Sequence, residues 1–282
     1  MTRHLIDAHL HVWERARHAQ PWIDPLAMAV INHDYPPAGA AAELAANGVA
    51  GCVAIQCINE FTETVDLLAD ASEIDAIRGV VGWVDLTADV EAQVETLRNG
   101  VGGDLLVGVR HVTFEEPDPA WLARDDVGRG LAALAKSGLT YDLLVGPHQL
   151  RIAAEVVNQN PATSFILDHL GKVPLTSTSL VTWARDLAEL AKCPNLVMKV
   201  SGVITEDDPQ IWSVERLRPV IEHALATFGA QRLLFGSDWP VVELAATYQR
   251  WLEAYLRLTE SLSPSERAAI DGANTMRTYG LP

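Results

Sequence analysis

Short apolar runs alternate with longer amphipathic stretches from one end of this chain to the other. Eight strand-like runs fall near 4–10, 49–57, 78–84, 105–112, 139–145, 164–169, 195–201 and 232–237. Helix-like stretches lie between them, at 60–75, 90–98, 128–136, 150–158, 180–191, 214–228 and 244–259. Asp89 and Ser213 stand where N-caps are expected, and Ser263-Pro264-Ser265-Glu266 has the form of a capped start to a last short helix. Strand and helix in strict alternation is the pattern of a parallel α/β fold. Eight strands favour a single-domain (β/α)8 TIM barrel over an open doubly wound sheet. The 282 residues suffice, since such barrels need about 250. No long Gly/Ser or charged linker divides residues 1–282. No Gly-x-Gly-x-x-Gly follows the first run, which weakens a dinucleotide-binding alternative.

Polar residues interrupt the pattern at the C-terminal ends of the runs, where such barrels build their sites. The first run ends in His9-Leu10-His11. Alternation along a strand turns both imidazoles to one face, where they can hold one metal ion or one polarised oxygen. The last run ends in Ser237-Asp238-Trp239-Pro240, and closing a barrel sets Asp238 beside the histidines. The other ends carry Gln56, Trp83 with Asp85, Arg110 with His111, Asp168 with His169, and Lys199 with Ser201. Core packing alone explains this poorly, because each buried polar group needs a partner. Individually, several keep two readings. Arg110 is a substrate contact or a strand-end ion pair with Asp85 or Asp168. His111 is a site residue or a buried structural histidine. Trp13, Trp83 and Trp239 are core or stacking surfaces for a sugar ring. Gln56 has an amide that can read a hydroxyl. Lys172 and Lys199 are candidates to bind substrate hydroxyls or a carboxylate, but lysine is usually solvated, and that is the expectation for both.

Composition narrows the partners. The chain is 49% hydrophobic and 21% charged, with 21 basic and 37 acidic residues and a net charge of -16. No basic surplus is available for phosphates, which argues against nucleic acid. Cys52, Cys57 and Cys193 form no CxxC and no even framework, so no disulfide is expected. No basic leader or apolar signal region opens the chain, and no apolar run reaches the roughly 20 residues that span a bilayer. The expectation is a soluble cytoplasmic protein, with room for a homo-oligomer.

Five motifs carry a resemblance. Ile6-Asp-Ala-His-Leu-His-Val-Trp13, Gly108-Val-Arg-His111, Leu167-Asp-His-Leu-Gly-Lys172, Lys199-Val-Ser-Gly202 and Phe235-Gly-Ser-Asp-Trp-Pro-Val241 together resemble the amidohydrolase superfamily. They are most similar to its sugar-acid and pyrone-dicarboxylate lactonases. The resemblance implies a (β/α)8 barrel that hydrolyses an aldonolactone such as L-fucono-, L-galactono- or L-rhamnonolactone. It implies Asp238 as general base, His111 and His169 as further catalytic residues, and Gln56, Trp83, Arg110 and Trp239 as substrate contacts. Two-metal members carry a carboxylated lysine on strand four and a histidine on strand five. Here those runs read Val109-Arg110-His111 and Tyr141-Asp-Leu-Leu-Val-Gly-Pro147, with His148 only in the next turn. That leaves one divalent ion, zinc, on His9, His11, His169 and Asp238, or no metal. The alternatives are a metal-dependent non-oxidative decarboxylase of the same superfamily and a non-catalytic sugar-acid binding barrel.

Overall fold

The eight apolar runs are eight parallel strands in the computed structural model, which describes residues 4–177 and 179–282. They are β1 Ile6–Leu10, β2 Gly51–Ile55, β3 Ile77–Gly82, β4 Leu106–Val112, β5 Thr140–Leu144, β6 Phe165–Leu167, β7 Leu196–Val200 and β8 Leu233–Phe235. Each pairs with the next in chain order. The ring closes just past β8, where Asp238 N donates to His9 O at 2.8 Å and His11 N donates to Trp239 O at 2.7 Å.

Among the described residues, the eight longest helices pack outside: α1 Pro37–Ala46, α2 Phe61–Ser72, α3 Val90–Arg98, α4 Asp125–Lys136, α5 Leu150–Gln159, α6 Leu180–Leu190, α7 Val214–Phe228 and α8 Tyr248–Leu258, with two short ones, α9 Pro264–Ala268 and α10 Asn274–Tyr279, after them. The expected caps form. Asp89 accepts from Ala92 N, Ser213 accepts from Arg216 N, and Ser263 with Glu266 makes a reciprocal capping box. The exception in legibility is α1, whose sequence PAGAAAELAA is mostly alanine and shows little apolar periodicity. It forms on propensity and on the burial of Ala40 and Leu44.

Two apolar layers separate inside from outside. Ile6, Ala8, Val53, Ile55, Val81, Ile166 and Leu234 make a small interior cluster, joined by Tyr279 and Leu281 from the C-terminus. A much larger layer, including Leu10, Ala54, Val80, Leu131, Leu187, Ile221 and Trp251, lies between strands and helices. Strict alternation would put Asp7 on the same face as His9. Instead the β1–β2 register shifts between Asp7 and Leu10. Asp7 turns to α8, where it accepts from Tyr248 Oη at 2.9 Å, and both histidines reach the mouth. The three cysteines are buried and free. Among the described residues no helix is long and apolar enough to cross a membrane.

Candidate active site

Three imidazoles and one carboxylate meet at the mouth. His9 comes from β1, His11 from just past its end, His169 from the turn after β6, and Asp238 from the turn after β8. The Nε2 atoms of His9 and His11 are 3.1 Å apart. Asp238 Oδ1 lies 3.6 Å from His9 Nε2, 3.5 Å from His11 Nε2 and 3.9 Å from His169 Nε2. All four residues are buried. His11 is oriented from behind by Ile55 O, 2.8 Å from its Nδ1, and His169 by Ser201 Oγ, 2.9 Å from its Nδ1.

The backbone is bent to make this arrangement. His169 has φ 53 and Asp238 has φ 61, in the left-handed region that non-glycine residues rarely occupy. Strain of that kind costs about 1–3 kcal/mol per residue and concentrates at functional sites. Gly202, at φ 60, backs the cluster. A Cβ there would stand 2.5 Å from His169 Nδ1 and 3.0 Å from Asp238 Oδ2, so no larger residue fits.

Electrostatics follow from the geometry. Burial alone would raise Asp238, but His169, His11 and His9 hold its carboxyl well below the usual range. Burial lowers His9 and His169, disfavouring their charged forms.

Beneath the cluster lies a buried ionic layer. Lys199 overturns its expected solvation, because it points into the barrel and is fully buried. Its ammonium is 2.5 Å from Asp142 Oδ2, 2.9 Å from Asp168 Oδ1 and 3.1 Å from His9 Nδ1. Tyr279 Oη donates to the same Asp142 oxygen at 2.7 Å. Burial would raise Asp168, yet Lys199, His9 and Arg110 hold it well below its ordinary value. Burial pushes Asp142 up to about 6 despite Lys199. A lone lysine in a sheet interior would be costly, and these carboxylates make it tolerable.

Arg110 lies in this layer too. It donates to Asp168 Oδ2 at 3.2 Å, to Gln56 O at 2.5 Å and to Gln56 Oε1 at 2.9 Å. The expected strand-end ion pair forms with Asp168, not with Asp85. Gln56 is fully buried, and its side-chain amide is spent on Arg110 and Asn59.

His111 stands apart from the other three histidines. Its ring stacks on Trp121 at 3.9 Å, Trp83 Nε1 donates to its Nδ1 at 2.9 Å, and Glu116 Oε1 lies 2.6 Å from its Nε2. These contacts tie down the loop after β4. Trp239 is buried, donates to Glu243 Oε1 at 2.9 Å, and packs edge-on against Tyr35, as Trp13 does.

A cavity of about 820 Å³ opens above the cluster, and His11, His169, Arg110 and Asp238 contribute to its floor. Its wall includes Trp22, Asn59, Phe114, Lys172 and Glu206. Lys172 pairs with Glu206 and sits 5.2 Å over the Phe114 ring. Neither Asp142 nor Glu206 stands out among the strand ends of the sequence. Asp142 had a signal, a lone charge inside the apolar run Thr140–Leu144, whereas Glu206 had none.

Behind the cavity wall stands a titratable anchor. Glu63 on α2 accepts from Cys57 N at 3.0 Å and Ile58 N at 3.1 Å, pinning the loop after β2. Burial pushes its carboxyl from 4.5 up to about 7. A raised carboxyl contributes stability that is complete below its unfolded pKa and is lost as pH rises through the folded one. At about 1.4 kcal/mol per unit, this is about 3 kcal/mol. Glu63→Gln, which cannot ionise, is therefore expected to gain about that much relative to the parent between pH ~4 and pH ~8. Urea unfolding at the two pH values checks it. An unchanged difference would contradict the assignment.

Comparison with known proteins agrees with this architecture. The amidohydrolase family pattern matches residues 6–281. An L-fucono-1,5-lactonase of Burkholderia multivorans (strain ATCC 17616 / 249) is 36% identical over 292 residues, covering 98% of this chain and 96% of that protein. An L-rhamnono-gamma-lactonase of Scheffersomyces stipitis is 25% identical over 221 residues, covering 69% of this chain and 66% of that protein. The crystal structure of an amidohydrolase from Burkholderia multivorans with bound zinc superposes with a TM-score of 0.92 at 35% identity, covering 99% of this chain and 100% of the other. A family match over nearly the whole barrel, with a full-length relative more than one-third identical, shows that this chain belongs to the amidohydrolase family.

Proposed function

We propose that this chain hydrolyses a sugar-acid lactone to the open aldonate, with L-fucono-1,5-lactone the first substrate to try. The observation that carries the reading is the Asp238 carboxylate set among three imidazoles on the floor of a cavity large enough for a sugar ring. The lactonase relatives named above support it. The wall favours an uncharged polyhydroxy ring. Its one lysine is neutralised by Glu206, its one arginine by Asp168, and Glu60 and Glu115 add negative charge.

Lactone hydrolysis needs a polarised carbonyl, an activated water and a proton for the leaving oxygen. Asp238 would hold the water and take one of its protons as the water oxygen attacks the carbonyl carbon. Imidazole N–H groups facing the mouth would bear the developing oxyanion. Collapse of the tetrahedral intermediate breaks the ring C–O bond, and Asp238 would return its proton to that oxygen. A carboxylate is a weak base near neutral pH, so polarising the carbonyl would share in the acceleration.

The residues present also fit one divalent ion. Ligand atoms of His9, His11 and Asp238 all lie within 4.8 Å of one another, a nitrogen-and-oxygen donor set suited to zinc. These three would hold the ion with His169 alongside, and it would supply Lewis-acid polarisation and a more acidic water. His111 would steady the loop after β4, and Arg110 with Gln56 would support the floor. Trp83 and Trp239 would brace the walls.

The test is a pH-indicator assay on L-fucono-, L-galactono-, L-rhamnono- and D-arabinonolactone, with and without a chelator, beside metal analysis of the protein. Acid release above the spontaneous rate is expected, with at most one equivalent of metal per chain. Failure on every sugar and pyrone lactone would remove the lactonase reading. Two equivalents of zinc would contradict a mononuclear site.

A further inference from the structure

We propose, on the lactonase reading above, that Lys172 and Glu206 are a paired donor and acceptor that read two neighbouring hydroxyls of the substrate ring. The same pair turns away a ring that carries a carboxylate. The two side chains meet on the cavity wall from different elements, Lys172 from the turn after β6 and Glu206 from the loop after β7. Both stay partly open, with side-chain exposures of 27% and 23%.

Each is carried on backbone tied to the Asp238 cluster. His169, Leu170, Gly171 and Lys172 have φ of 53, 53, 66 and 53, so the chain makes a left-handed turn. Residues other than glycine rarely hold that conformation, and strain of this kind concentrates at functional sites. Lys172 N donates to His169 O at 2.9 Å, and both side chains reach the same cavity. The turn is clamped from behind. Trp183 Nε1 donates to Leu170 O at 2.8 Å, and Leu150 packs so closely that a Cβ on Gly171 would meet it at 2.6 Å. A lysine meant only for solvent needs no such turn. Glu206 is held as firmly. Thr205 Oγ1 donates to O of Gly202, the residue that backs His169 and Asp238, at 2.8 Å. Asp207 accepts from Arg216 Nε at 2.8 Å and from its Nη2 at 2.6 Å.

Donor and acceptor capacity decides the ligand. An ammonium has three hydrogens and a carboxylate two oxygens. Among the described residues, Lys172 Nζ bonds Glu206 Oε1 alone, with the Phe114 ring 5.2 Å away, and Glu206 Oε2 has no hydrogen-bond partner. Two ammonium hydrogens and one carboxylate oxygen are left for a ligand. Adjacent ring hydroxyls use both, one accepting from Lys172 and the other donating to Glu206. A ring without hydroxyls leaves both unused. A ring carboxylate meets a lysine already neutralised and a glutamate that repels it.

The test compares the parent with Lys172→Met and Glu206→Gln. Each substitution should lower the preference in kcat/KM for L-fucono-1,5-lactone over δ-valerolactone, a six-membered lactone without hydroxyls, by roughly 10–100-fold. That is the weight of a hydrogen bond to a charged group. Glu206→Gln frees the ammonium, so 2-pyrone-4,6-dicarboxylate should bind it roughly tenfold more tightly than it binds the parent. A pair that merely ties two loops together would lower both lactone rates alike and leave dicarboxylate affinity unmoved, and that result overturns the proposal. L-Fucose, whose pyranose ring has hydroxyls but no ester, gives an arm independent of turnover. Its binding, followed by calorimetry, should weaken by the same factor in both variants. Equal L-fucose binding by all three proteins, or none by the parent, overturns the proposal. A parent that turns over no lactone, yet loses L-fucose on either substitution, removes the lactonase reading and leaves the hydroxyl-reading pair standing.

Discussion

Asp238→Asn is expected to lower lactone turnover by about 10²–10⁴, the usual worth of a general base, while the protein remains folded. The amide has the shape of the carboxylate but cannot take a proton from water. Folding should survive for two reasons. The side chain faces the cavity rather than the packed interior, and asparagine tolerates the left-handed backbone that Asp238 already adopts at φ 61. The substitution also separates base from ligand. Added zinc should partly rescue His9→Asn, if polarisation is what that residue supplies, and should not rescue Asp238→Asn. Steady-state rates on the folded variants check both. Near-native turnover by Asp238→Asn would move the base elsewhere, with His169 the next candidate, since His111 is locked against Trp121 and Glu116.

Arg110→Met is expected to cost about 3–5 kcal/mol of stability, the range for breaking a buried ion pair from one side. The guanidinium is nearly fully buried and is committed to Asp168 and to both oxygens of Gln56. Its loss leaves Gln56 O and Asp168 Oδ2, on two fully buried residues, short of donors. Arg110→Lys should recover only part of the loss, because an ammonium cannot span the two oxygens and the carboxylate as the planar fork does. The shift in urea unfolding midpoint measures this. A variant as stable as the parent, with only a raised KM, would mean that Arg110 serves the substrate directly.

Much of this was readable from periodicity, because strand and helix differ in repeat and each run had turn or cap residues at its ends. All eight strands lie where apolar runs stood, and α3 and α7 match their expected bounds residue for residue. The meeting of His9, His11, His169 and Asp238 followed from barrel closure. What stayed hidden depended on side-chain direction or backbone bends. The register shift in β1 decides whether Asp7 or His9 faces the mouth, and no composition signal marks it. The positive φ of His169 and Asp238 follows from tertiary fit around Gly202. Lys199 misleads because lysine is almost always solvated, and only its two carboxylate partners, far apart in sequence, reverse that preference.

The most direct measurement is hydrolysis of L-fucono-1,5-lactone in 18O-labelled water by the purified protein, with the product read by mass spectrometry. Attack by an Asp238-held water on the lactone carbonyl puts one 18O into the new carboxylate at every turnover, at a rate above the spontaneous one. The same enhanced labelling should vanish in Asp238→Asn. Label at the released hydroxyl, or no enhancement over the spontaneous reaction by the folded parent on any lactone of the panel, would contradict the account.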